Sequence, residues 1–504
     1  MADDFIAPST SDFGQPGRHP QTKFAVLLIL LAALIILSAS FGVVASHRAN
    51  SSSFGEQEML QADLMMKMYY FQSRLQSWAN STSPASSSPQ AFQAEVSRDM
   101  AVALYQSAVS QQASYESLRR LVVIAPAVER PAAIKRYSHI SDIEIEGRGG
   151  ISARDAETAM WRAIYVSPGK LSAGDMARYV AKIRAMSLGW YERLALADLY
   201  AKAGMTKNAD SERSQAYESA TRMVMTLVGI ALLMIIMGFV GLVFLIIYII
   251  SKSRGRPGAM NDIVSLPLAQ KSIASEVLLE IFVVCIVIHI GMHFLASDLV
   301  KHAIRAMHVS VELKSVVTAA LGYCLWGFLT LAYTIVRLRS IGLSLKSIGL
   351  SSRYPLQDIK WGIAGYMSVL PVFVIAGIMS QIIFRLVPGP SNSVDALTAY
   401  TKTALARVIL FLLVSVAAPF FEELFFRGLL FNSLRSKWGV ATGVVISAIV
   451  FAVLHPLPFS FLPIFVLGSG LAVTYYQRGS LLSGMVFHGL HNGLVTIFLF
   501  LLTS

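Results

Sequence analysis

Apolar residues run along this chain in long blocks and do not alternate with polar ones. The blocks fall at about 24–45, 223–250, 275–297, 315–336, 361–386, 404–426, 439–457, 461–476 and 481–502. Each is near the ~20 residues that cross a bilayer as a helix. Lipid cannot hydrogen-bond the backbone, so only helices or closed barrels span it. The absence of alternation argues against a barrel. The pattern predicts an all-α fold: a polytopic transmembrane helix bundle of about nine spans.

The material between the first two blocks is different. Residues 1–23 are polar, contain Pro8, Gly14, Pro16 and Gly17, and read as a tail. The block at 24–46 is longer than a usual signal core, so an uncleaved membrane anchor is expected in preference to a cleaved signal peptide. Residues 47–221 are largely polar, with a Ser-rich linker at 81–88. Elsewhere they show helical periodicity. Trp190-Tyr191, Leu194, Leu196, Leu199 and Tyr200 predict one helix, stopped at Ala203-Gly204. No second copy recurs at a fixed period. A helical domain follows, with a second span at 222–250.

Charge orients these pieces. Lys252/Arg254/Arg256, then Arg337/Arg339/Lys346/Arg353/Lys360, then Arg427/Arg435/Lys437 fall on alternate loops. Placing all three inside satisfies the positive-inside rule. The tail 1–23 is then cytoplasmic and 47–221 extracytoplasmic. Lys301, Arg305 and Lys314, in the expected outside loop 298–314, run against this assignment.

Composition agrees with the blocks. Of 504 residues, 55% are hydrophobic and only 14% charged, where a soluble domain carries nearer about 25%. The net charge is +12. Its basic residues cluster in short loops and no folded basic module appears, so no nucleic-acid partner is expected. The only cysteines, Cys285 and Cys324, lie inside apolar blocks, which argues against a structural disulfide.

Charged side chains inside a span cost about 2.5–3.5 kcal/mol or more, so they usually serve a purpose. Three clusters stand out near the C-terminus. In Pro419-Phe420-Phe421-Glu422-Glu423-Leu424-Phe425-Phe426-Arg427-Gly428, Glu423 and Arg427 are i and i+4, the better orientation for a pair. Glu422 lies about 100° away around the helix and has no charge partner in its own segment. A carboxylate so placed is available to take a proton. Glu423–Arg427 therefore reads as structural support and Glu422 as chemical. A pair of acids at the membrane boundary is the plain alternative.

The second cluster is Phe451-Ala452-Val453-Leu454-His455-Pro456, at the end of a block. The third is His488-Gly489-Leu490-His491-Asn492, where His488 and Asn492 share a face and His491 is displaced from it. The plain readings are a helix-stop histidine and interhelical hydrogen bonding. Together the three clusters offer Glu, His, His and Asn to one bundle. Hydrolysis needs such a base and such donors to a developing oxyanion.

Glu422-Glu423-x-x-x-Arg427, Phe451-x-x-x-His455 and His488-x-x-x-Asn492 resemble, in order, the three motifs of the CAAX-protease and bacteriocin-processing family. This is also called the Abi family of intramembrane metalloproteases and includes the eukaryotic prenyl-protein endoprotease. The resemblance covers roughly 340–504. It implies a peptidase domain at 273–504 with its core at 400–504. It implies that Glu422 and His455 activate water, that His488 and Asn492 stabilise the oxyanion, and that Glu423 and Arg427 hold the helices. Zn2+ held by Glu422, His455 and His488 and a metal-free Glu/His mechanism both stand open. No H-E-x-x-H run occurs.

The expected protein is an intramembrane endopeptidase of a bacterial cell (inner) membrane. Its partners are the lipid bilayer, a membrane-bound protein or peptide substrate, and a protein partner of the domain 47–221. A non-catalytic membrane scaffold or bacteriocin-immunity factor is the alternative. A rhomboid-like serine protease would use Ser469, but Leu467 replaces the first glycine of that pattern. Cys285, His289 and His293 share one face and could bind a soft metal, or simply pack. One expectation is awkward: with spans at 404–426 and 439–457, Glu422 lies toward the inner end of one and His455 toward the outer end of the next.

Overall fold

The structure is a computed structural model and describes residues 23–35, 59, 61–77, 89–111, 115–139, 150–186, 188–253, 268–305, 309–385, 401, 403–455 and 460–502. Among these every regular element is helical and no strand occurs. The chain divides into two compact units. One comprises Met1–Gly42, Gly238–Pro388 and Val408–Gly493; the other comprises Val43–Met237, Gly389–Arg407 and Leu494–Ser504. The first block is described only as α1, Lys23–Ile35. The linker 81–88, and the stretch near Ala45 where a signal would be cut, lie outside the described residues.

The second unit is built from short helices: α2 (61–77), α3 (Pro89–Gln111), α4 (Tyr115–Ile124), α5 (Arg130–Ser138), α6 (Gly150–Tyr165), α7 (Ala173–Ala185) and α8 (Trp190–Lys202). Consecutive helices pair, α3 on α4, α4 on α5, α5 on α6 and α7 on α8. The expected helix and its stop are α8 and Gly204, whose φ of +81° is readily adopted by a residue without Cβ. Polar staples cross the core. Asp63 accepts from Tyr191 Oη (2.7 Å) and Arg120 Nη1 (2.8 Å) and also from Tyr105. Glu157 is gripped by Arg119 and Tyr137.

The remaining helices are α9 (Thr206–Ser253), α10 (Leu268–Arg305), α11 (Val311–Arg339), α12 (Pro355–Arg385), α13 (Ala404–Trp438), α14 (Val440–Leu454), α15 (Phe461–Arg478) and α16 (Leu481–Leu502). Six of them, α9–α13 and α16, are long and apolar enough to cross a membrane, while α1 and α14 are apolar but shorter. The second span is thus the end of a 48-residue helix that begins at Thr206. Lys301 and Arg305, expected in a loop, continue α10.

The largest correction concerns α13. The expected span ended at 426, because Arg427, Arg435 and Lys437 read as a loop. The helix instead runs 35 residues to Trp438. Its polar residues are satisfied inside the protein. Asn432 Nδ2 donates to Tyr475 Oη (2.7 Å), and Ser433 and Ser275 exchange hydroxyl-to-carbonyl bonds. Arg427 and Arg435 are buried side chains, not loop residues as the orientation argument took them to be.

That extension removes the depth conflict. The chain turns at Gly439, where φ is +85°. Glu423 stands 16 residues before Gly439 and His455 16 residues after it. At about 1.5 Å per residue, equal distances from a tight turn mean equal depth in an antiparallel pair. The end of α13 packs on α14, α14 on α15 and α15 on α12. An aromatic core, with Phe425, Phe426, Phe431, Phe451 and Tyr475, sits around the motif.

Candidate active site

Glu422 lies within one residue of the midpoint of α13. The helix is irregular on both sides of it, with π-helical turns at Leu413–Ala417 and Leu424–Phe431. Such turns often occur at functional sites. Pro419 explains the first. The Ala418 N–H reaches back five residues to Leu413 O, which deprives Val414 O of its α-helical donor. The next N–H would come from residue 419, but proline has none. Asn492 Nδ2 supplies the missing donor to Val414 O at 2.9 Å.

Glu423 and Arg427 form the expected pair, with Arg427 Nη1 donating to Glu423 Oε1 at 2.8 Å and both side chains buried. Arg427 also donates to Gly468 O (3.1 Å), and its guanidinium lies 4.6 Å from the Phe451 ring centre. Three helices are thereby tied at one cation.

Glu423 has a second partner that its own segment cannot reveal. His488 Nδ1 lies 3.1 Å from Glu423 Oε1, and the other ring nitrogen, Nε2, lies 3.8 Å from Glu422 Oε2. One imidazole therefore stands between two carboxylates. The inner one can orient the ring, as second-shell carboxylates commonly do for histidine. The Oε2 of Glu422 is buried and makes no hydrogen bond, whereas Oε1 accepts from Tyr323 Oη at 3.1 Å.

His455 is the residue that caps the C-terminus of α14, just past Leu454. Its Nδ1 lies 2.7 Å from Phe451 O, and its ring is 4.6 Å from that of Phe451. The Phe451 ring is also 5.8 Å from that of His488. Phe451 thus holds both histidines and the arginine, a role that a phenylalanine in an apolar block does not announce. Tyr323 was likewise not singled out, since nothing in its own segment marks it. It comes from α11 and is backed by Trp326 (5.1 Å), whose indole N–H donates to Cys285 O.

The other candidates have ordinary partners. His289 packs on Trp326, and the side chain of His293 lies outside the described residues. His491 packs between Tyr366 and Phe373, away from the face of His488 and Asn492. The Ser469 hydroxyl donates to Phe465 O one turn back (2.8 Å), and Gly470 meets Val369 with no room for a Cβ. A catalytic zinc usually takes three protein ligands. Among the described residues no three His, Cys, Asp or Glu side chains are grouped to hold one ion, and the two donors that converge are Glu422 Oε2 and His488 Nε2.

Known proteins bear on the same stretch. Residues 404–494 match the family model described as Rce1-like, type II CAAX prenyl endopeptidase. UPF0177 protein YbdI of Lactococcus lactis subsp. lactis is 24% identical over 148 residues, 29% of this chain and 78% of that protein. No solved structure matches. The matched segment holds all three motifs and every polar group gathered around Glu422 except Tyr323. Taken with its apolar helices, the protein is an integral membrane protein whose C-terminal part is similar to the CAAX prenyl endopeptidase family.

Proposed function

We propose that this chain is an intramembrane endopeptidase that hydrolyses a peptide bond in a membrane-associated protein or peptide. The observation that carries this reading is the imidazole of His488 set between Glu423 and Glu422 in the core of a membrane bundle. Water held at Glu422 Oε2 would give its proton to Glu422 as its oxygen attacks the peptide carbon. The carbonyl oxygen becomes an oxyanion, received by Asn492 Nδ2–H and, one turn away on the same face, by Nε2–H of His488 as an imidazolium whose Nδ1–H is held by Glu423. The tetrahedral carbon then expels the amine, which takes the proton back from Glu422. His455, whose Nδ1 lies 2.7 Å from Phe451 O, would use its other ring nitrogen as the second water-orienting group.

No step above needs a metal. Zinc at Glu422, His455 and His488 is the alternative form of the same proposal. Metal content of purified protein, with activity measured before and after chelation, distinguishes the two. Residence in a bacterial cell membrane, with 47–221 outside, is part of the proposal and rests on the loop charges.

The decisive experiment is cleavage of membrane-anchored peptides by the protein in liposomes, read by mass spectrometry. Wild-type cleavage with none by Glu422→Gln supports the enzyme. If Glu422→Gln retains every activity of the protein, a non-catalytic scaffold or immunity factor is the better reading.

A further inference from the structure

The second unit contains a cavity of about 240 Å³ that lies wholly among its own helices. Its charged lining is Arg98, Arg130, Arg213 and Asp198; outside the lining Arg98 also pairs with Asp99 (3.2 Å) and Arg213 with Asp210 (3.9 Å). Asp198 is shared, 3.5 Å from Arg130 Nη2 and 3.6 Å from Arg213 Nη2. Both separations exceed a good hydrogen bond, so one carboxylate only partly serves two guanidinium groups. Arg130 is held by Val123 O (3.2 Å) and lies over the Tyr165 ring (4.3 Å), yet its buried Nε has no hydrogen-bond partner.

The rest of the lining differs in character. Met66, Ile124 and Leu194 give it an apolar floor. Tyr69 and Tyr70 form an aromatic wall, and Tyr70 is braced by Trp190 (5.1 Å) and Tyr217 (5.0 Å). Pockets for drug-sized ligands run about 300–1,000 Å³, so this one suits a smaller group.

We infer that this cavity binds a small amphipathic carboxylate, of the kind a peptide C-terminus with an apolar last residue presents. Guanidinium groups match a carboxylate with paired, charge-assisted hydrogen bonds. The floor and the tyrosine wall would take an aliphatic side chain out of water. A bare anion would use the arginines but leave the apolar floor wet. The inference goes beyond the peptidase reading and does not depend on Glu422.

The test is calorimetric titration of the full-length protein in nanodiscs with N-acetyl-L-leucine, N-acetyl-L-leucinamide and inorganic phosphate. The acid should bind at least about tenfold more tightly than the amide, since only the acid can form the charge-assisted bonds. Arg98→Gln and Arg213→Gln should each weaken the acid by a similar factor, with circular dichroism confirming the fold. Arg98 is partly exposed and pairs with its neighbour Asp99, so its replacement is the safer of the two for folding. Arg178→Gln, on the surface of α7 and paired with Asp175, should leave binding unchanged. Glu422→Gln protein should also bind the acid normally, so failure here and failure of the peptidase reading are separable. Absence of acid binding, equal binding of acid and amide, phosphate binding as tight as the acid, or full binding by a folded Arg98→Gln/Arg213→Gln protein would each overturn the inference.

Discussion

His488 Nδ1 stands 3.1 Å from Glu423 Oε1, the same oxygen that accepts Arg427 Nη1 at 2.8 Å. One buried carboxylate oxygen therefore serves both a structural cation and the imidazole beside Glu422. Structure and chemistry can be pulled apart here. Glu423→Gln should lower stability by about 3–5 kcal/mol, because it leaves Arg427 buried without its counter-ion. Glu423→Gln/Arg427→Met should regain much of that stability. Peptide cleavage should nevertheless stay about 10–100-fold down, since the ring has lost its orienting carboxylate. Thermal unfolding in detergent and single-turnover cleavage read the two effects; recovery of both together would assign Glu423 a purely structural role.

Tyr323 should matter for rate and little for folding. Its hydroxyl donates to Glu422 Oε1 at 3.1 Å, and its ring packs on Trp326. Tyr323→Phe keeps the ring and removes the donor. A hydrogen bond to a charged group contributes about 1.5–3 kcal/mol, so kcat should fall by roughly 10–100-fold. The melting temperature should barely move. Unchanged kcat would mean that Tyr323 does not position Glu422.

Asn492 and Pro419 should be coupled. Asn492→Ala leaves Val414 O without the bond that now satisfies it, at a cost of about 1–3 kcal/mol. Pro419→Ala restores a backbone N–H within reach of the freed carbonyls. In that background Asn492→Ala should cost less, with a coupling of about 0.5–3 kcal/mol in a double-mutant cycle. Simple additivity would show that proline does not create the need for the asparagine. Cleavage measured on the same four proteins separates this cap from any part Asn492 plays at the oxyanion: a cap alone predicts that activity recovers with stability.

The approach of α16 to α13 relies on missing side chains. A Cβ on Gly484 would sit 2.5 Å from Glu423 Oε2, and one on Gly489 2.7 Å from Ser415 O. Gly484→Ala should therefore lower stability by about 1–3 kcal/mol and reduce cleavage by shifting Glu423. Gly291→Ala is the control, because nothing lies within 4 Å of its Cβ position. It should be neutral or stabilising by up to about 1 kcal/mol through helix propensity. Equal melting temperatures for Gly484→Ala and Gly291→Ala would contradict the close approach.

Much of this protein was legible along the chain. Long apolar blocks mark helices because lipid forbids an unpaired backbone. The i, i+4 spacing paired Glu423 with Arg427 and put His488 and Asn492 on one face, since those relations are set by helix geometry alone. Three short motifs in order were enough to signal the family resemblance. Local stops could be read too: Gly204 ends α8 where the Ala203-Gly204 pair said it would.

What the chain alone could not decide is how its helices meet. Hydropathy cut α13 at 426 because Arg427 and Arg435 look like loop residues until their partners are known. Those partners, Gly468 and Tyr476, are about 40 residues away and lie on another helix. Restoring α13 to Trp438 brings His455 level with Glu423 across Gly439. The tertiary structure also set His488 against both acids and brought Tyr323 to Glu422 from a helix 99 residues upstream. The difference is physical. Periodicity along one helix is written in neighbouring residues, whereas contact between helices depends on which small residues let two backbones approach and which buried polar groups must then find each other.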